Sequence, residues 1–502
     1  MSPTTDPRAT CIIGVARQTW HAADAPDGAP EPLDMWEHVA RAAADDAGVP
    51  GGLAALESID VVFTQSWQYD DPAARLAERL GATPRRRHYS GIGGSVPQVL
   101  AAGVWAAISA GDLDLGLIVG AEALATVRRL KKTGEKPQWS YRPAERRPFP
   151  MDLEFHPSEI SHAVFEAFLT FALFDNARRA RLGRGLDEHR AQLGRLLAPL
   201  SEVAAASPHA WFPVARSGPE IVTASAENRM VAYPYTKLMT AIMDVDMAAG
   251  LLIASAARAD ALGVPEDKRV YLRGFGYAED PAHVASHPDL SRSPAVDAAS
   301  SAALAAAGVG IDDVAHFDFY SCFASSVNFA LDSLGMAEDD PRPVTQTGGL
   351  PYHGGPGSNY MTHSIAAMVE TLRADPGTFG LTSGVGMHMQ KHAYGLWSTE
   401  PGQVDPGALE NPSLPGDDQM EIVASPEGSA TVATYSVLHG RDGGPESALL
   451  VCDLPGGAGA GGSRCYAKLD GDLHVAESGE IIGRTVTLTP SDGVNHATLS
   501  DT

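Results

Sequence analysis

Cysteine is scarce in this chain: four residues in 502, at 11, 322, 452 and 465. None falls in a CxxC pair, which argues against a zinc ribbon or a thioredoxin-type redox site, and four in so long a chain do not make a disulfide framework. No run of 18 uncharged apolar residues occurs, so no membrane-spanning helix is expected. The N-terminal stretch MSPTTDPRATCIIGVARQTW has no long apolar core behind a basic head, so no signal peptide is expected and the chain reads as cytoplasmic. Positive charge is also short. Thirty-seven Lys and Arg face 62 Asp and Glu, a net charge of −25. Such a surface repels phosphate backbones and anionic lipid, so nucleic acid and membrane are not expected partners. No cluster of residues has metal-ligand spacing, and no metal is expected. GxxxxGK[ST] is absent, and GIGGSV is not GxGxxG, which disfavours a P-loop or a dinucleotide fold.

What is present is ordinary for a globular enzyme: 44% hydrophobic and 20% charged residues. The length suits about three domains. Up to residue 121 strand and helix patterns alternate. CIIGV (Cys11–Val15), IDVVFT (Ile59–Thr64) and LGLIVG (Leu115–Gly120) read as strands, and Pro32–Gly48 as a helix. Asp71-Pro72 is a cap followed by a helix-starting proline. Gly91–Gly94 is glycine-rich, and Ser95 opens an Ala-rich helix. Residues 122–231 break the rhythm and read as an insertion, with a helical segment His162–Asn176 and an Arg-rich helix Arg178–Arg195 with an exposed face. The alternation then returns, with a helix over Asp246–Leu262 and strands at 269–276, 316–320, 379–386 and 392–399. A glycine-rich loop, a serine and a helix recur in both parts, at Gly91–Ser95 and Gly348–Ser358, which implies a duplicated α/β fold. Residues 401–418 read as a linker. Short β runs over 419–502 read as a small all-β barrel.

Five segments, in chain order, carry a resemblance: GIGGSVPQVLAAG (Gly91–Gly103), AYPYTKLM (Ala232–Met239), FDFYSCFASSV (Phe317–Val327), TGGLPYHGGPGSNY (Thr347–Tyr360) and TSGVGMHMQKHAYG (Thr382–Gly395). Together they resemble the thiolase superfamily, and within it the thiolase-like proteins of the sterol-carrier-thiolase branch, often labelled acetyl-CoA acetyltransferases. The resemblance covers roughly residues 8–400. It implies two similar mixed-sheet halves layered αβαβα, with 8–121 and 232–265 forming the N-terminal half and 266–400 the C-terminal half. The β domain resembles an OB-like barrel. The resemblance also implies acyl-CoA as substrate or ligand, no permanently bound cofactor, a place in lipid metabolism, and a homodimer or a monomer. The β domain would offer a docking surface for a partner subunit.

A thiolase of this kind needs a nucleophilic cysteine before the first-half helix, a His in GHP, an oxyanion His or Asn, and a second cysteine in CxG. Each is replaced here. Gly93 stands at the nucleophile position, Tyr320 at the HDCF histidine, Gly355 at the GHP histidine and Thr382 at the second cysteine. An acyl-cysteine cycle is therefore not expected. Tyr320 remains as a donor to an enolate or carbonyl oxygen, and His353 or His388 as a base. Cys322 sits at a turn into a helix, where packing is favoured over nucleophilic use. Ser95 and Ser358 lie on the same loops. Segment 128–147 carries eight basic residues (Arg128, Arg129, Lys131, Lys132, Lys136, Arg142, Arg146 and Arg147) against Glu135 and Glu145. Against the acidic whole, it reads as a place for CoA phosphates, with Trp139 or Tyr141 stacking on adenine. Three outcomes stay open: non-cysteine chemistry on a CoA thioester (aldol, retro-aldol or proton transfer), a non-catalytic acyl-CoA-binding pseudo-thiolase or subunit, and a conventional acetyltransferase if the register at Gly93 is shifted.

Overall fold

The computed structural model describes residues 6–21, 25, 28–150, 155–402, 419–457, 459 and 461–500. The proposed linker lies outside the described residues except for 401 and 402. The N-terminal half runs β1 (Thr10–Thr19), α1 (Pro32–Asp46), β2 (Ser58–Val61), α2 (Pro72–Leu80), β3 (Arg86–Tyr89), α3 (Val96–Ser109) and β4 (Leu115–Ala123). Local chemistry sets these ends. The Asp71 carboxylate accepts from the Ala74 amide at 3.0 Å, Pro72 starts α2, and Gly81 closes it in the left-handed region.

The insertion follows: α4 (Leu124–Thr133), α5 (Pro157–His162), α6 (Ala167–Arg181), α7 (Leu186–Ala206), α8 (Gly218–Val222) and the hairpin β5 (Met230–Ala232) and β6 (Tyr235–Thr236). The half then finishes with β7 (Asp246–Ser255) and α9 (Ala256–Leu262). Three expectations fail here. Asp246–Leu262 is not one helix: its first ten residues, DMAAGLLIAS, are a strand with every residue buried. A strand covered on both faces loses the period of two and reads as a plain apolar run. Nor is Arg178–Arg195 one helix with a solvated face. Arg178 and Arg179 end α6 with side chains 1% exposed, and the chain turns before α7. Arg178 pairs with Asp332 at 2.7 Å and Glu338 at 3.0 Å, and Arg179 with Glu480 of the barrel at 2.5 Å. The expected segment His162–Asn176 is also interrupted, at Ala163 with φ +59°.

The C-terminal half runs β8 (Val270–Glu279), α10 (Pro294–Ala307), β9 (Val314–Asp318), α11 (Ala324–Leu334), α12 (Tyr360–Ala374), β10 (Phe379–Gly386) and β11 (Lys391–Ser398). The nine strands hydrogen-bond in the order β3-β2-β4-β7-β1-β8-β11-β10-β9. In the sheet the two halves join at the β1–β8 seam, where Cys11 pairs with Tyr271 and Ile12 with Val270. α1 packs on strands of the first half, α10 on strands of the second, and α3 and α12 touch both. The apolar clusters follow the same layers: one under α1 and α2, one around α3 and α12 between the halves, and one under α10, α11 and the insertion. This is the αβαβα arrangement of the thiolase fold. α10 lies so close on β8 that a Cβ at Gly276 would come within 1.9 Å of the Ala299 carbonyl oxygen.

The last unit adds β12 (Glu421–Ile422), β13 (Gly428–His439), β14 (Pro445–Asp453), β15 (Ser463–Leu469), α13 (Val475–Ser478), β16 (Thr485–Ser491) and β17 (Val494–Leu499). Strands β13-β14-β15-β17-β16 close back on β13, with only β15–β17 parallel within the ring. β17 has no counterpart in the sequence reading. Cys452 and Cys465 are opposite each other on β14 and β15, buried as free thiols. Leu449, Val451 and Tyr466 from these strands join the cluster under the insertion, and Ala232 of β5 pairs Leu438 of β13. The barrel is thus built into the body rather than hung from it. No described helix is long and apolar enough to cross a membrane.

Candidate functional site

Four loops converge at the centre. The first precedes α3. Gly93 has φ +149° and donates its amide to Ser358 Oγ at 3.1 Å. A Cβ at Gly94 would stand 2.2 Å from the Tyr320 hydroxyl and 2.3 Å from the Val385 carbonyl oxygen. The Tyr320 phenol therefore rests on the backbone beside the nucleophile position. Ser95 is buried and makes no capping hydrogen bond.

Tyr320 follows β9. Its amide donates to Ser383 Oγ at 2.9 Å, and its ring meets Tyr360 edge-on at 5.5 Å. Burial, with a smaller contribution from Cys322, raises the phenol well above its ordinary range, so it stays protonated. Cys322 has its Sγ 3.2 Å from Ser326 Oγ, and burial pushes the thiol up to about 12. That is a packed thiol and not a thiolate. Thr382, at the second cysteine position, is fully buried, donates to Gln98 Oε1 at 3.0 Å and accepts from the Trp397 indole at 2.9 Å.

His353 is placed away from Tyr320, behind Tyr360. It is fully buried, with Nε2 3.3 Å from His363 Nδ1. Burial first, then Arg17 and His209, pull it down to about 3. It stays neutral, and its ring meets Tyr360 edge-on at 6.0 Å. Gly355 donates to the Ile242 carbonyl at 2.8 Å, and its loop is packed against Leu350 and Ile242.

His388 sits differently. It lies in the turn between β10 and β11, flanked by Met387 at φ +55° and Met389 at φ +67°. Two non-glycine residues in the left-handed region store strain, which the surroundings must hold. His392 does so, its Nε2 3.0 Å from the Met389 carbonyl and 3.6 Å from Asp280. Thr170 Oγ1 donates to the Ala167 carbonyl at 3.1 Å and lies 2.8 Å from His388 Nδ1. With its one proton committed, Thr170 accepts from Nδ1–H, which leaves Nε2 as the unprotonated nitrogen. Burial holds this imidazole below its ordinary value. The arrangement favours the neutral imidazole.

The basic segment divides. Arg128 pairs with Asp244, and the guanidinium of Arg129 lies against Gly28. Lys131 and Lys132 are on an exposed face and line no described cavity. Trp139 packs edge-on against Trp67 at 5.7 Å. None of these five touches the central loops in any described contact. Beyond α4 the chain straps back over the segment after β2, and Lys136, Arg142 and Arg146 of that strap line a cavity of about 610 Å³.

Glu122 escaped the sequence reading. It ends β4, fully buried, and accepts from the amides of Gln65 at 2.8 Å and Ser66 at 3.0 Å and from the hydroxyls of Ser66 and Thr64. Burial raises its carboxyl to about 7, against those hydrogen bonds. A Cβ at Gly357 would stand 2.6 Å from its Oε1. The available signal was a lone charge in the apolar run LGLIVGAEA. Among the described residues no group of three or more His, Cys, Asp or Glu is placed to hold a metal ion.

No family model matches the chain, and no curated protein does. Solved structures do. A monomeric SCP2-thiolase-like protein type 1 from Mycobacterium smegmatis is 33% identical over 99% of this chain and 100% of that one, with a TM-score of 0.84. An Ltp2–ChsH2(DUF35) aldolase is 14% identical over 78% of this chain and 99% of that one, with a TM-score of 0.59. An acetyl-CoA acetyltransferase from Syntrophomonas wolfei is 16% identical over 78% and 99%, with a TM-score of 0.54. The last two share the fold.

Proposed function

The chain belongs to the SCP2-thiolase-like proteins, and on that premise we propose that it binds a coenzyme A thioester and does not thiolyse it. One observation carries the second half of this reading. The Tyr320 hydroxyl stands 2.2 Å from where a Cβ on Gly94 would lie, one residue from the nucleophile position, and no cysteine stands on that loop. Cys322 is held as a neutral thiol and does not replace the missing nucleophile. The test is intact-protein mass after incubation with acetyl-CoA, beside calorimetric binding of CoA. Binding with no mass increment is the expected result. An acetyl increment on the protein would overturn the non-thiolytic reading and restore a conventional acetyltransferase.

A second reading adds chemistry and is favoured by the His388 tautomer. A neutral phenol can donate to a thioester carbonyl oxygen while an imidazole Nε2 takes a proton from the adjacent carbon. That pairing supports enolisation, and so aldol or retro-aldol chemistry, without a covalent intermediate. His353 has no part in it. Deuterium exchange at the α-carbon of an acyl-CoA in heavy water measures it: exchange lost in both Tyr320→Phe and His388→Gln supports the reading, and no exchange in the wild type leaves a binding protein. The Mycobacterium smegmatis relative is described as monomeric, and the monomer is the state proposed here.

A further inference from the structure

Two of the four cysteines face each other in the barrel. Cys452 on β14 and Cys465 on β15 are partners in the antiparallel ladder. Residues so placed have Cα atoms about 4.5 or 5.5 Å apart and side chains on one face of the sheet. Both separations fall inside the span of about 4.4–6.8 Å that a disulfide bridges. Both side chains belong to the barrel core, with Val432, Leu450, Ala467 and Ala497, and neither is exposed. The two thiols are within hydrogen-bonding reach of each other. The other two cysteines differ: Cys11 lies against the Ala254 carbonyl and Cys322 against Ser326 Oγ.

The pair also sits where the barrel is held to the body. Arg464 and Tyr466 flank Cys465 on β15. Arg464 bonds Asp453, the neighbour of Cys452, at 2.6 Å, and donates to the carbonyls of His287 and Pro288. Tyr466 donates to Glu159 at 2.8 Å and accepts from the Ala285 amide at 2.9 Å. Between the two cysteines the sequence is DLPGGAGAGGSR, with five glycines. Glycine has the most backbone freedom to lose on folding, so a cross-link across this segment removes entropy from the unfolded hairpin and leaves the folded one in register.

We propose that Cys452 and Cys465 are a dithiol–disulfide pair, oxidised by a small-molecule disulfide to a clasp across β14 and β15. One protein thiolate attacks the small disulfide, forms a mixed disulfide and releases one small thiol. The second protein thiolate then attacks the protein sulfur of that mixed disulfide, and the other small thiol leaves. The protein gives up two electrons and two protons, and the small disulfide takes them up as two thiols. In the closed barrel the Cys465 thiol and burial hold Cys452 protonated, so exchange is slow there and proceeds when the hairpin opens or before it closes.

The test holds the full chain in glutathione buffers of stepped ratio, either folded throughout or refolded from urea in the same buffers. Samples are quenched in acid, alkylated in denaturant and measured by intact mass. Reducing buffers should give four alkylated cysteines. Oxidising buffers should give two, with a peptide map joining Cys452 to Cys465, and added reductant should restore four. Cys452→Ala and Cys465→Ala should each abolish the internal bond. Formation of the bond by either route supports the pair, and refolding keeps slow access from hiding it. Four labels in every buffer after both routes overturn the proposal, as does a stable glutathione adduct in place of the bond, or a bond that includes Cys11 or Cys322. Deuterium exchange reads the clasp itself. Amides of β14 and β15 should exchange at least about tenfold more slowly in the oxidised protein; equal exchange would mean that the bond restrains nothing, and the clasp falls.

Discussion

Glu122→Gln should change how stability varies with pH. Glu122 is fully buried, and burial raises its carboxyl to about 7 despite hydrogen bonds from Ser66, Gln65 and Thr64. In the unfolded chain the same carboxyl titrates near its ordinary 4.5. A carboxyl raised on folding destabilises the native state once the unfolded chain can release a proton that the folded chain retains. The penalty opens as pH rises through about 4.5 and is complete above about 7. Between pH 5 and pH 8 it grows by about 2.5 kcal/mol, at about 1.4 kcal/mol per pH unit between the two pKa values. Glutamine cannot ionise. Its cost is constant with pH, about 1–3 kcal/mol for the backbone amide left facing an NH₂ group. Wild type should therefore lead the variant at pH 5, and the lead should shrink or reverse by pH 8. Urea unfolding of both proteins at pH 5, 6, 7 and 8 reads the difference directly. Comparing the pair cancels the carboxylates whose pKa values are lowered on folding, such as Asp46 and Asp175, which act in the opposite direction. Parallel pH dependences would refute the reasoning, because they would mean that Glu122 does not titrate in this range in the folded protein.

Arg178→Ala should destabilise by about 1–3 kcal/mol, since a buried guanidinium and its charge-assisted bonds are lost while Asp332 keeps Arg181 and Glu338 keeps Arg184; a loss below about 0.5 kcal/mol in urea unfolding would show that Arg178 contributes little. Gly93→Cys should not restore acylation. The backbone there has φ +149°, which strains any side chain, and the GHP histidine and second cysteine are still absent, so intact-mass analysis after acetyl-CoA should show an unmodified protein. Light scattering should give a single chain. Of the two edges of the nine-stranded sheet, β3 and β9, β3 is four residues long and presents Arg87 and His88 outward with Arg85 beside it, a charged edge that resists pairing with a second copy; a dimeric mass would count against it.

The duplicated α/β body and the barrel are legible in the sequence because their signals are local. Asp71-Pro72, the glycine loops before α3 and α12, and the alternating β runs after residue 419 each announce themselves within a few residues. β7 is not legible, because a central strand buried on both faces looks like any apolar segment. Arg178 and Arg179 look solvated in the sequence because their partners Asp332, Glu338 and Glu480 are 150 or more residues away. The same limit governs the site. The order of the loops shows that the thiolase residues are replaced, but not that His353 is sealed behind Tyr360 while His388 keeps an unprotonated nitrogen. Those differences are made by neighbours from other elements, His363 for one and Thr170 for the other.

The persistence of the central loops without their catalytic residues has a physical reason. α3 and α12 form the middle layer between the two halves, so the loops that start them are fixed by packing regardless of chemistry. Where a reacting group is missing, a structural partner has taken its place: Ser358 for the Gly93 amide, Tyr320 over Gly94, Gln98 and Trp397 for Thr382, Ile242 for Gly355. Those satisfied atoms make no demand for a ligand, whereas Gln98 Nε2 on α3, and His353 Nδ1 and both amide atoms of Asn359 on the same loops, are buried without a hydrogen-bond partner. The strap is the opposite case. Its backbone is tied down, while Lys136, Arg142 and Arg146 are exposed to solvent and have no ion-pair partner among the described residues, and the Phe149 ring is 48% exposed. Packing explains the first set of residues and leaves the second without a role in the fold.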